Sequence, residues 1–353
     1  MSAPDYALRI EDLNDATILD DLTVSDLTYG EVLNGPGSIT FTVPLDAVSS
    51  ADLAPGKRQV RLKRAGELVW GGYLWSSSVD LASGLVSFSG EGFFSRLRRR
   101  IITEDLFYFG VDQVEIAWGL IHWTQSQAKD GADLGITRFG TGTSGYTRHR
   151  HWCCYDLANV GDEITSLAES LHGFDFRVGP DKKWWTSWDQ TTPGPRRGSE
   201  VNVTFDLGST PGDETNVLRM RWTKDATSLT TEVTGTGPDE DCTDLSTYGS
   251  SGQIAAYGLL QDSLDLSDIR EKDDRDDKLQ EELRLRNAPV STIEIVTTRT
   301  PFESPRYATG DVVTVTGGYG YATFSSDPYR VMSWEVSVQG GQETATVMLD
   351  SVT

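Results

Sequence analysis

One order of segments occurs twice in this chain, once near each end, and it limits the fold more than any other feature. A Gly-led strand (GKRQVRLKR, from Gly56), a hairpin partner (LVWGGYLWSSSVD, from Leu68) and a closing strand (GLVSFSG, from Gly84) come first. GDVVTVTGG from Gly310, YRVMSWEVSVQG from Tyr329 and ETATVMLD from Glu343 repeat that order. Strand order, hairpin spacing and Gly positions agree, so the two blocks read as two related β units. A chain of 353 residues exceeds one ordinary hydrophobic core, and two to four domains are expected.

From Tyr6 to about Glu91 the sequence reads as short strands punctuated by turns. Ser38 to Val43 alternates Ile39, Phe41 and Val43 with Ser38, Thr40 and Thr42, the period of a half-buried strand. Gln59 to Lys63, Leu68 to Tyr73, Ser76 to Asp80 and Leu85 to Ser89 follow as strands, with turns at Ala65–Gly66 and Ser83–Gly84. After the basic run Arg96, Arg98, Arg99 and Arg100 the composition turns aromatic. There Val111, Val114, Trp118 and Ile121 have helical spacing, with Asp112 near the start. Lys129 to Gly145 is rich in Gly and Thr and reads as loop.

A second helix is expected from the stripe Ile164, Leu167, Ala168 and Leu171. Asp162 and Glu163 sit in its first turn, and Gly173 is placed to take a left-handed cap. Phe174, Phe176 and Val178 then alternate as a strand, so residues from about 101 to 205 form a mixed α/β unit closed by the TTPGPRRGS stretch. Strands resume at Val201 to Phe205, Val217 to Trp222 and Leu229 to Val233, before a polar GTGPDEDCTD loop. Leu266 to Asn287 reads as a surface helix with acid-before-base pairs four apart at Asp268–Lys272, Glu271–Arg275, Asp274–Lys278 and Glu282–Arg286. Its apolar positions Leu266, Ile269, Leu279 and Leu283 leave the middle charged all round, which predicts better packing at its ends. Pro289 stops it, and strands return at Thr292 to Thr297, Asp311 to Thr316, Tyr329 to Val338 and Thr344 to Leu349.

The formal charge of −22 and pI near 4.5 argue against a phosphate-clamping protein, so no specific nucleic-acid binding is expected. The Arg96–Arg100 run is read as the solvated end of an element rather than an anion site. The opening MSAPDYALRIED lacks the pattern of a signal peptide, and no window approaches the ~20 apolar residues that span a bilayer, so no direct membrane insertion is expected. Three cysteines, with Cys153 and Cys154 adjacent and Cys242 remote, do not form a disulfide framework and suit a reducing cytoplasm.

Chemistry has few places to reside. On a strand His149, His151 and Cys153 share one face and suit zinc, but no matching ligand doublet accompanies them. Core-facing cysteines are the plainer reading, and neither a metal site nor a cofactor is expected. No GxSxG, HExxH or GxxxxGK[ST] pattern is present, and no catalytic residue is expected. Trp184, Trp185 and Trp188 near a turn fit core packing or a subunit interface first and a sugar-stacking platform second.

The succession GSITFTVP, PGKRQVRLKRAGELVWGGYLWSSSVD and GLVSFSGEGFFSRLRRR resembles the opening of minor tail proteins from long-tailed phages of actinobacterial hosts. VGDEITSLAESLHGFDFRV, LQEELRLRNAP, YATGDVVTVTGG and YRVMSWEVSVQGG resemble later blocks of the same family. The resemblance implies a tail-tip hub related to the baseplate hub of contractile-tailed phages, in which a trimer of two-barrel chains adapts a hexameric tube to a threefold tip. The fold expected is mainly β with an α/β insertion, two tube-like β-barrel units and lateral domains. Residues 1–98 and 288–353 form the two barrel units, 99–205 the lateral α/β domain, and 206–287 strands and a charged helix that complete or link the barrels. The expected protein is a homotrimer in the virion, made in the host cytoplasm and lining the DNA exit channel. Its partners are a distal tail or tail tube protein, the tape-measure protein and other minor tail proteins. A hexameric distal tail protein, a carbohydrate-binding or carbohydrate-cleaving tail component and a zinc-bound module stay open as alternatives.

Overall fold

The computed structural model describes residues 5–170, 172–186, 202–208, 215–237, 245–267 and 272–351. The first β segment comprises β1 (Tyr6–Glu11), β2 (Thr17–Leu22), β3 (Ser25–Val32), β4 (Ser38–Pro44), β5 (Gln59–Arg64), β6 (Glu67–Asp80) and β7 (Leu85–Gly92). A 3-10 helix over Phe93–Arg99 leads into β8 (Leu106–Asp112), α1 (Gln113–Gln125), β9 (Thr137–Arg138), β10 (Thr147–Trp152), α2 (Val160–Ala168), β11 (Phe176–Val178) and β12 (Lys183–Thr186). β13 (Thr204–Asp206), β14 (Val217–Asp225), β15 (Glu232–Thr236), β16 (Leu245–Gly249), α3 (Ser251–Tyr257), β17 (Gln261–Asp265) and α4 (Lys272–Arg286) follow. β18 (Val290–Thr297), β19 (Val312–Tyr319), β20 (Ala322–Gln339) and β21 (Gln342–Ser351) complete the described chain. The protein is mainly β with an α/β insertion, as its alternating patterns predict.

The chain divides into two compact units, Met1–Ala168 with Gly173–Met220 and Glu294–Thr353, and Arg221–Ile293 with Glu169–His172. The segment order repeated in the sequence is repeated in the topology of the first unit. β5, β6 and β7 form an antiparallel meander, and so do β19, β20 and β21. Both meanders carry a register shift in each of their two hairpins, at Leu62/Lys63 and Leu74/Ser76 in one and at Val315/Thr316 and Val331/Ser333 in the other. Such bulges raise local twist and bend a long strand without ending it.

The bulges also join two expected strands into one. Leu68 to Tyr73 and Ser76 to Asp80 are not two strands but one, β6, because Leu74 and Ser76 keep pairing with Gly90 and Ser89 across the bulge.

The two meanders meet through β3. Its residues Leu27 to Val32 pair antiparallel with Val338 to Ser333 of β20, so strands from both ends of the chain belong to one 13-stranded sheet. Gly30 lies opposite Glu335, and its carbonyl also accepts the Trp70 indole N–H at 3.1 Å. Around this seam Tyr29 meets Trp334 edge-on at 5.9 Å and stacks on Phe302 at 6.2 Å. Arg64 grips the Glu343 carboxylate through two hydrogen bonds of 2.9 and 2.7 Å, and Tyr6 donates to the same carboxylate while its oxygen lies 3.0 Å from that of Tyr29. Burial pushes the Tyr29 phenol well above its ordinary value, with the neighbouring Tyr6 adding to the effect.

The aromatic insertion builds its own core from Phe94, Leu97, Val114, Ile116, Leu120, Ile121, Trp152, Ile164, Leu167, Phe174, Phe176 and Trp184. Asp112 caps α1 by accepting the Val114 N–H at 2.9 Å, so the helix starts two residues later than the Val111 stripe implies. α2 ends at Ala168, before Leu171, which lies outside the described residues, and the left-handed residue is His172 (φ 57°) rather than Gly173. The Lys129 to Gly145 stretch is not wholly loop, since β9 pairs parallel with β12.

In the second unit β15 lies between β16 and β17, antiparallel to one and parallel to the other. The described α4 helix spans Lys272–Arg286 and leaves Leu266 outside it, and its packing contradicts the expectation for its centre. Leu279 is fully buried against Val233 and Leu266, with Arg275 and Glu281 also buried. The core closes on one residue because Gly235 lets Leu279 approach where a Cβ would lie 2.9 Å from its methyls. Among the expected pairs Glu282–Arg286 forms at 3.0 Å, joined by Lys272–Asp276 and Glu281–Arg284. Asp268 and Glu271 lie outside the described residues. α3 and the polar strands β16 and β17 have no apolar periodicity that announces them.

A Cβ on Gly30 collides with the Trp334 carbonyl oxygen and comes within 3.0 Å of the Glu335 Cα, both backbone atoms in the seam. Gly30→Ala is therefore expected to lower stability by about 1–3 kcal/mol or more. Gly252→Ala, in the open on α3, should be neutral or stabilise by up to ~1 kcal/mol. Denaturant midpoints of the two variants check the contrast.

Candidate functional site

The residues singled out for chemistry gather on the insertion, and β8 with β10 places most of them. These two strands pair antiparallel, with Trp152 opposite Leu106 and His151 opposite Phe107. Alternation sends Tyr108 and Trp152 inward, where they meet edge-on at 6.0 Å, and leaves Phe107, Phe109, His149 and His151 outward. His151 stacks on Phe107 at 4.1 Å, Phe107 on Phe109 at 6.2 Å, and Phe109 meets His149 at 5.9 Å. Phe109 is nonetheless 71% exposed and Phe107 55%.

This arrangement separates His149 and His151 from Cys153, the candidate ligand set weighed in the sequence. His149 and His151 do share a face, but β10 ends at Trp152, and Cys153 and Cys154 enter a turn instead of continuing the alternation. The Cys153 N–H donates to Asp156 at 2.9 Å, and the Asp156 N–H returns to the Cys153 carbonyl at 3.0 Å. Both thiols are free and half-buried, so core-facing cysteines are also ruled out. Their neighbour is Asp105, whose Oδ1 accepts the Cys154 N–H at 2.8 Å. That hydrogen bond holds Asp105 below the ordinary carboxylate range. Partial desolvation and the same carboxylate push the Cys154 thiol up. Cys242 lies outside the described residues.

The tryptophans also part company. Trp184 is fully buried, stacked on Trp118 at 5.8 Å and edge-on to Phe174 at 6.3 Å, which makes it core. Trp185, the next residue on β12, points the other way and stacks on the half-exposed Phe139 at 3.4 Å, with the Arg177 guanidinium 5.5 Å from its ring. Trp188 lies outside the described residues. Trp184 is thus removed from a platform, and among the described residues Trp185 and Phe139 are left.

The arginine run does stand at the end of the 3-10 helix, with Arg98 and Arg99 exposed, but its side chains also have partners in the chain. Arg96 lies 4.5 Å over Tyr73 and Arg99 4.2 Å over Trp75, Arg98 faces Asp162 at 3.7 Å, and Arg100 donates to the Gly131 carbonyl at 2.6 Å. Each cation is engaged within the chain. The insertion is fixed to the β segment in the same way: Asn34 Oδ1 accepts the Phe176 N–H at 2.8 Å, and Lys182 pairs with Asp15 at 2.6 Å.

Phe107, Phe109, Phe139 and Asp105 were not singled out in the sequence. The LFYFGVD alternation carried a signal for the first two. Nothing near Asp105 signals its meeting with Cys154, 49 residues on.

No family model matches the sequence, and no curated protein is similar to it. Solved structures are. The tail protein from Neisseria meningitidis MC58 superposes with a TM-score of 0.67 at 15% identity, covering 98% of this chain and 96% of that one. The 43 kDa tail protein of prophage MuSo2 from Shewanella oneidensis gives 0.68 at 12%, covering 98% of each chain. This chain has a phage tail-protein fold. The E. coli c3393 protein, a type VI secretion component described as structurally similar to bacteriophage T4 tail proteins gp27 and gp5, gives 0.52 at 13%, covering 94% of this chain and 74% of that one.

Trp184→Ala should cost about 3–5 kcal/mol, the usual cost of emptying a buried aromatic site, and Trp185→Ala a small fraction of it. Denaturant unfolding checks both. Titration of cell-wall polysaccharide against Trp fluorescence is expected to give no saturable quench, whereas a quench abolished by Trp185→Ala would restore the carbohydrate reading.

Proposed function

We propose that this chain is a structural hub at the tip of a phage tail, joining the tail tube to the tip and lining the channel through which DNA leaves. The observation that carries the reading is the end-to-end match to tail proteins, over 98% of this chain in two cases. The likeness to a secretion component itself compared with T4 tail proteins supports the same placement. In this reading the protein works by backbone pairing and apolar contact between subunits, with no catalytic residue.

The repeated meander is what such a role requires. A chain carrying the same three-strand unit twice presents six of them as a homotrimer, which lets a threefold tip meet a sixfold tube. The segments 1–98 and 288–353 supply the two barrel-like units, with 99–205 as the lateral domain and 206–287 contributing connecting strands. The partners are a distal tail or tail tube protein, the tape-measure protein and other minor tail proteins, within a virion assembled in the host cytoplasm.

The charge suits a channel. With −22 on each chain, an acidic lumen repels the DNA backbone and lets it pass without adhering. Light scattering on the purified chain should give the mass of three copies at micromolar concentration. A stable monomer would contradict the hub, and a hexamer would favour a distal tail ring.

A further inference from the structure

We propose that Asp105, Cys153 and Cys154 form a binding site for a thiophilic divalent cation such as zinc. The register of the β8–β10 ladder creates it. Trp152 opposite Leu106 is the last pair, so the chain just before β8 and the turn just after β10 emerge side by side. One carboxylate oxygen and the two thiol sulfurs then lie within 4.8 Å of one another. The backbone is already fixed around them, with the Cys154 N–H on Asp105 at 2.8 Å and the Cys153 N–H on Asp156 at 2.9 Å.

The chemistry of the donor set selects the ion. Two thiolates and a carboxylate suit zinc or cadmium and disfavour calcium or magnesium, which take oxygen donors. With Zn–S near 2.3 Å, tetrahedral coordination places two thiolates ~3.8 Å apart, within the 4.8 Å that bounds the present spacing. Binding releases the thiol protons to solvent. The site keeps one position open, because Asp105 is exposed and the cysteines only half-buried. A bound ion would tie the two strands together at the Leu106–Trp152 end of the ladder. The site does not depend on the hub reading.

The test is a cadmium titration of the full chain kept reduced with a phosphine, followed by the ultraviolet thiolate-to-cadmium charge-transfer band. The expected result is saturation at one ion per chain, with zinc displacing the cadmium. Cys153→Ser and Cys154→Ser should each remove tight binding, while Cys242→Ser leaves it intact. Asp105→Asn should weaken binding by at least the ~10-fold that losing even an outer-shell partner costs. His149→Asn and His151→Asn should leave the affinity unchanged. Absence of the band, survival of full affinity in Cys154→Ser, or loss of affinity in the histidine variants would overturn the assignment. Unchanged thermal unfolding of the metal-free variants establishes that they fold.

Discussion

Backbone pairing between β3 and β20 is the contact on which the rest of the architecture depends. Residues about 300 positions apart in sequence become adjacent strands, and the two meanders thereby share one sheet. Few sequences tolerate so close an approach. Gly30 provides it by having no side chain where the Trp334 carbonyl passes, and the aromatic cluster of Tyr29, Phe302 and Trp334 then fills the space to either side. The Arg64–Glu343 pair adds orientation, since a bidentate guanidinium fixes angle as well as distance.

The insertion keeps its strands outside that 13-stranded sheet. Its core is its own, built on Trp184, Phe174, Phe176 and the two helices, and it is attached to the β segment through Asn34 and Asp15, through the pairs of Arg177 with Glu31 and Asp175 with Arg330 on the seam strands, and through Arg96 and Arg99 over Tyr73 and Trp75. Features exposed on it, the Phe107–His151 ladder and the Asp105–Cys153–Cys154 cluster, are thus held rigidly without taking part in the main sheet.

The β meanders were legible because strand alternation and hairpin turns are local signals, and Ser38 to Val43, Gln59 to Lys63 and Leu85 to Ser89 lie within strands that structure and sequence share. The seam was not, because nothing in Gly30 names Trp334 as its neighbour. The centre of α4 failed for a related reason. Arg275 and Glu281 look solvent-facing on a helical wheel but are buried, and Leu279 between them packs on Val233 and Leu266 where Gly235 leaves room. Of the chemically suggestive residues, the sequence placed His149 and His151 correctly on one face and misplaced Cys153, since the end of β10 depends on the turn that follows it. Trp184 and Trp185 were adjacent in the text and opposite in the fold, as period-two alternation requires.

The central claim is that one chain with a duplicated meander forms a threefold hub. Electron microscopy of the assembled tail tip measures this directly. The account predicts a ring of three copies in which β5–β6–β7 and β19–β20–β21 alternate six times around an acidic channel. A ring of six copies, or a position off the tail axis, would contradict it.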